Sequence, residues 1–240
     1  MKISLLSKSN LYGRLMIFIF LMFTTAILAS ESAFLVGNET WGPKAGGFLF
    51  SILNLTFYLY GIVLLKKIDI YPKVVIKGLW VYAIFGVLAA LYVANPFVSV
   101  IDESLMPVTF AVFHLINVFV TILVLSAILK DIFGSSETKS DHVWGAVVAY
   151  FLIVMLFSEI YELITLMRPG LLGTTYQPGY PNYVQCIMFS FNSVAGVDSI
   201  YPEAHDLLRK IGNMENVIGN LFLVVVLGRL LSHPLKTSHN

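Results

Sequence analysis

The fold class predicted for this chain is an all-α integral membrane protein, and three observations predict it. Of its 240 residues 58% are hydrophobic and 12% charged, and the mean hydropathy is +0.82, far above the composition of water-soluble domains. The apolar residues gather in runs of bilayer-crossing length, roughly 17–25 residues each. The runs are apolar all round, whereas a transmembrane strand alternates apolar and polar residues over about ten positions.

Six spans can be drawn, at residues 14–30, 48–65, 78–94, 105–129, 143–167 and 213–232. The first follows Lys2, Lys8 and Arg14 and ends Ala26-Ile-Leu-Ala-Ser30, which is also the outline of a signal peptide. Its cleavage consensus is weak, so it is read as a retained span. The second stops at Lys66-Lys67, and the third lies between Lys77 and Asn95-Pro96. The fourth stops at Lys130-Asp131 and holds no Lys or Arg, which excludes the regular positive charges of a voltage-sensor helix. The fifth ends at Arg168-Pro-Gly170, and the sixth carries Arg229 near its end.

With a cytoplasmic N-terminus, the inner segments hold eleven of the 15 Lys and Arg residues, and the outer segments hold only Lys44, Arg168, Arg209 and Lys210. The positive-inside rule therefore places both termini in the cytoplasm of a multi-pass cell-membrane protein. The polar segment 130–142 divides the chain into a four-helix region, 1–129, and a helix-loop-helix region, 143–240. The halves show no internal repeat, which argues against an inverted-repeat transporter. Membrane lipid is an expected partner. Nucleic acid is not, because the net charge is +1 and no basic cluster with interleaved aromatics exists.

No enzyme is expected. The chain has no Gly-x-Ser-x-Gly elbow, no His-Glu-x-x-His helix and no phosphate-binding glycine loop. Glu203, His205 and Asp206 sit together in an outer loop without a nucleophile and read as structural. Cys186 is the only cysteine, so an intrachain disulfide is impossible and a thiolate metal site implausible. No cofactor is required.

The segment between the last two spans is the most informative. It holds Gly170, Gly173, Pro178, Gly179, Pro181, Gly196 and Pro202, yet encloses an apolar helix over about 183–194. Irregular backbone at membrane depth is tolerated only where protein buries it or it lines a water-filled cavity. A short helix there aims the negative end of its dipole into the membrane, which favours a cation.

Residues 141–232 resemble the pore module of the two-helix potassium channels, in particular prokaryotic six-span members of that family. The outer-helix pattern Gly-Ala-x-x-x-Tyr-Leu-Leu is matched by Gly145-Ala-Val-Val-Ala-Tyr-Phe-Leu152, and the inner-helix pattern Glu-x-x-Ile-Gly-Gln-Leu-Tyr by Glu215-Asn-Val-Ile-Gly-Asn-Leu-Phe222, with Arg229 beyond. Val194-Ala-Gly-Val-Asp-Ser199 stands against the family's Thr-Val-Gly-Tyr-Gly-Asp, so only Gly196 is retained. The resemblance implies a re-entrant pore helix and filter loop between the fifth and sixth spans and a homotetramer passing potassium or another monovalent cation. It assigns the filter to Val194, Ala195, Gly196, Val197, Asp198 and Ser199. Loss of the family's threonine and second glycine implies relaxed selectivity. Asp198 is read either as one quarter of an acidic ring at the outer mouth or as a turn residue of a closed loop. A non-conducting scaffold or modulatory subunit is the alternative function, and a small-solute transporter is a weaker third.

Four further positions stay open between two roles. Gly219 is an inner-helix hinge by the resemblance, or a close-packing site by its size. Glu215 either supports the pore helix or faces water. Glu159 and Glu162, three apart, share one helical face and are either permeation or gating groups or interface residues that are solvated or paired. His114 and Asn117 repeat the three-residue spacing on the fourth span and read as an interhelical hydrogen-bonding pair in preference to a proton relay.

Overall fold

Apolar runs that meet no water must satisfy every backbone N–H and C=O internally, and the helix is the conformation that does so within one segment. The computed structural model describes residues 8–30, 41–68, 71–92, 106–135, 140–176, 179–197 and 200–231. Among them the regular structure is all helix, without strands: α1 (Lys8–Ser30), α2 (Trp41–Ile68), α3 (Lys73–Tyr92), α4 (Met106–Gly134), α5 (Ser140–Met167), α6 (Tyr180–Ala195) and α7 (Asp206–Leu231). Proline marks the starts. Pro43, Pro107 and Pro181 lie in the first turns of α2, α4 and α6, where the missing N–H breaks no helical bond.

Four segments among the described residues are long and apolar enough to cross a membrane: Ala45–Ile68, Pro107–Gly134, Asp141–Met167 and Asp206–Leu230. They coincide with the second, fourth, fifth and sixth expected spans. The first expected span falls within α1, which carries a shorter apolar stretch, Tyr12–Leu28, and the third falls largely within α3. The polar linker is shorter than the sequence suggested, since α4 continues to Gly134 and α5 begins at Ser140.

Helix α5 is the centre of the bundle, packed by α1, α4, α6 and α7. The N-terminal helices are therefore joined to the C-terminal ones rather than standing apart. At one end Tyr12 donates to Asp131 across 2.8 Å, and Arg229 donates to the Ser135 carbonyl. At the other end Tyr180 donates to the Thr25 carbonyl, and its ring lies against Gly47. The core between them joins Leu15 and Ile19 of α1, Phe57 and Ile62 of α2, Val124 of α4 and Val148 and Leu152 of α5.

Candidate functional site

Helix α6 does not run the length of the bundle. Its first residue is level with the ends of α1 and α2, as the Tyr180 contacts show, whereas its last turns meet α5 at Val154 and α7 at Gly219. Ser190 donates to the Val154 carbonyl at 2.9 Å, and Val194 abuts Gly219. At 1.5 Å per residue, both positions lie about 20 Å along α5 and α7 from the end where α6 starts. The chain then returns, and the His205 N–H binds the Leu171 carbonyl at 2.8 Å, closing the loop.

The carbonyl end of α6 is closed by a two-bond cap. The Gly196 N–H reaches the Ser193 carbonyl and the Val197 N–H reaches the Asn192 carbonyl, both at 3.1 Å, the pattern of a Schellman motif. It requires a left-handed residue, and Gly196 has φ 66°. Asn216 of α7 adds a third contact, donating from Nδ2 to the Ser193 carbonyl at 3.0 Å. A Cβ on Gly196 would stand 2.6 Å from that same nitrogen, so glycine is needed here for space as well as for conformation.

Of the six residues assigned to a filter, Val194 and Ala195 are the last residues of α6, and Gly196 and Val197 form its cap. Asp198 and Ser199 lie outside the described residues. The Val194 side chain is buried at 3% exposure, while Val197 is 56% exposed. Gly219 makes a close approach rather than an interruption: α7 is helical throughout, and a Cβ at 219 would fall 2.4 Å from Val194 Cγ2. Beside this cap lies a cleft of about 650 Å³ lined by Phe189, Val197, Tyr201, Arg209 and Asn216, among others. Burial pushes the Tyr201 phenol up to about 12, so it stays neutral there.

Three carboxylates line the flank of α6, and all are fully buried, so the solvated alternative for Glu159 and Glu162 does not hold. Glu215 accepts the Tyr161 hydroxyl at 2.7 Å and the Ser190 hydroxyl, joining α5, α6 and α7. Glu162 accepts the Asn182 amide at 2.5 Å and the Cys186 thiol at 3.4 Å, while its Oε1 is buried without a hydrogen-bond partner. Glu159 takes His114 Nδ1 on one oxygen, and on the other the Tyr183 hydroxyl at 2.6 Å with a longer contact from the Asn117 amide at 3.4 Å. Tyr82 of α3 donates to Asn117 Oδ1 at 2.5 Å.

Sequence reasoning did not single out Tyr82, Tyr161, Asn182, Tyr183 or Ser190. The signal available was a polar atom on an otherwise apolar helix; what it lacked was the register between helices that pairs each one with a carboxylate. His205 turns its ring to the start of α7, accepting the Leu207 N–H at 3.2 Å, and Asp206 pairs with Lys210 at 2.7 Å on the surface. Both contacts are structural.

Helix α7 is the least covered of the long apolar helices. Only 22% of its most apolar window is buried, against 56% for α5. Its open side carries Val217, Leu221 and Val224, and beside them Asn213, Asn216 and Asn220 run at helical spacing. Asn220 Nδ2 donates to Asn216 Oδ1 at 2.8 Å, so the amides form a chain leading to the carbonyl end of α6.

Comparison with protein-family profiles, with curated proteins and with solved structures gives no match.

Proposed function

We propose that this chain is one subunit of a tetrameric cation channel of potassium-channel-like design, with six spans, α6 as a re-entrant pore helix and α7 lining the path. The observation that carries the reading is the half-depth end of α6. A helix whose carbonyl end stops inside a bilayer leaves the negative end of its dipole there, and such an end has a use where a cation passes. The asparagine stripe on α7 supports it, since lipid tails solvate amides poorly and a water-filled path lined by several copies solvates them well. The buried carboxylates fix α6 in place, with Glu215 as the support and Asp198, next after the cap, supplying an acidic ring on the path. Potassium or another monovalent cation is the permeant ion, selectivity is relaxed, and both termini are cytoplasmic.

The second reading, a non-conducting modulatory subunit, has one observation in its favour. Val194 and Ala195 are helical, and the Val194 side chain is locked against Gly219 rather than turned to a path. Ion flux through the purified protein in liposomes separates the two readings. With potassium, sodium and calcium gradients imposed in turn, the channel reading predicts monovalent flux whose rate or selectivity changes in Asp198→Asn. An intact tetramer that passes no cation establishes the second reading.

A further inference from the structure

The asparagine stripe of α7 has a charged head. From Asn220 toward the start of the helix, the polar residues on that side are Asn216, Asn213 and Arg209. Steps of four, three and four residues keep all of them on one helical face. Asn216 is level with the carbonyl end of α6, where it binds the Ser193 carbonyl, and at 1.5 Å per residue Arg209 stands about 10 Å from it along the axis. Arg209, Asn213 and Asn216 all line the cleft of about 650 Å³ beside the cap, so the guanidinium and the amides border the same space.

The position of Arg209 is fixed by its surroundings. Ala204 and Leu208, just before it, are buried with Tyr161 of α5 and Phe189 of α6, which anchors the first turn of α7. The guanidinium donates to the Pro202 carbonyl, which ties the side chain to the returning loop. The carboxylates near it in sequence are placed elsewhere. Asp206 pairs with Lys210 at 2.7 Å, a pair without net charge, and Glu203 lies against Gly173 of the loop after α5. Arg209 therefore brings to the head of the stripe a positive charge that neither of them neutralises.

We infer that Arg209 determines which cations enter: four copies form a ring of guanidinium charge at the outer end of the path, and the ring holds back divalent cations more than monovalent ones. The inference rests on the channel reading. Coulomb repulsion scales with the charge of the ion, so a divalent cation meets twice the barrier of a monovalent one. For guanidiniums about 8 Å from the axis of a water-filled mouth, four charges separate the two ions by roughly tenfold at about 0.01 M ionic strength. The separation collapses as the screening length falls from about 30 Å at 0.01 M to about 3 Å at 1 M. Potassium still enters, because its barrier is half as high and the carbonyl end of α6, further in, favours a cation. Rings of charged side chains set selectivity in this way in channels generally.

The test measures potassium and calcium fluxes through the full chain in phosphatidylcholine liposomes, whose lipid adds no net surface charge, at about 0.01 M and about 1 M ionic strength. Arg209→Gln removes the charge and keeps an N–H for the Pro202 carbonyl. At low ionic strength its potassium-to-calcium flux ratio falls roughly tenfold below wild type, and at high ionic strength the two agree within about twofold. Arg209→Lys keeps the charge and the wild-type ratio. Arg168→Gln removes an exposed charge at the end of α5, off the stripe, and also keeps the wild-type ratio. If Arg209→Gln does not assemble, the wild type alone decides, since its own ratio must fall roughly tenfold from low to high ionic strength.

An Arg209→Gln ratio equal to wild type at low ionic strength, an equal fall in Arg168→Gln or in Arg209→Lys, or a wild-type ratio indifferent to salt overturns the inference and leaves the channel reading standing. Absence of flux in every protein, or chloride flux exceeding potassium flux, overturns the channel reading and the inference with it.

Discussion

Gly219→Ala distinguishes a packing glycine from a hinge. The added Cβ would sit 2.4 Å from Val194 Cγ2, whereas ordinary contact begins at 3.4 Å, so α6 and α7 must separate locally by about 1 Å. Overpacking of this size costs about 1–3 kcal/mol, offset by about 1 kcal/mol of helix preference for Ala over Gly. The single variant is therefore destabilised by up to about 2 kcal/mol. Val194→Ala loses packing against α7 but gains little from solvation, because lipid tails accept a methyl as readily as the protein interior does. Its cost is about 1 kcal/mol. The double variant has room for both side chains, so the clash vanishes and the cycle shows a favourable coupling of about 1–2 kcal/mol. Unfolding free energies from SDS titration of the detergent-solubilised protein measure it. Additivity within about 0.5 kcal/mol refutes the contact as the reason for glycine and returns Gly219 to the hinge role.

Tyr161→Phe leaves Glu215 with Ser190 as its single donor and costs about 1–3 kcal/mol; Glu215→Gln, which still accepts from Tyr161 or Ser190, costs under about 1.5 kcal/mol in the same titration. Gly196→Ala meets both the left-handed φ of 66° and the Asn216 amide 2.6 Å away, so strain of about 1–2 kcal/mol adds to a lost cap of about 1 kcal/mol. Unfolding midpoints check both. Cys186, fully buried and the only cysteine, is expected to react with a maleimide at least about 100-fold more slowly in the folded protein than in denaturant, because labelling requires opening of the bundle. Equal rates in the two conditions would show that α6 is loosely held.

The helical class and four of the six expected bilayer-length segments were legible because they depend on composition and run length alone. The short helix before Gly196 was legible for the same reason, within a few residues: it was expected over 183–194 and spans Tyr180–Ala195, starting earlier because Pro181 suits a first turn. The burial of Glu159 and Glu162 was not legible. Five and eight residues from the end of α5 a carboxylate lies close to water, and here α6 covers both, which only the return of the chain from Leu171 to His205 brings about. The pairing of His114 with Glu159 depends on the register of α4 against α5. In a bilayer that register is set by packing contacts spread over two whole helices, and no spacing within either helix encodes it. Gly219 illustrates the same limit from the other side. Its sequence neighbours fit a hinge or a contact equally well, and nothing in them shows that Val194 stands against it.

The central claim is that the open face of α7, with its asparagine stripe, borders a water-filled cation path. The most direct measurement is the reactivity of a charged, water-soluble methanethiosulfonate with Asn220→Cys in potassium-loaded liposomes, beside Phe119→Cys on the exposed surface of α4, where the ring is 55% exposed. Buried Cys186 keeps the background low. The account predicts that the position on α7 is modified and that potassium flux falls as it is, while the position on α4 stays unmodified in lipid. An Asn220→Cys protein that is as unreactive as Phe119→Cys, with flux unaltered by the reagent, contradicts it.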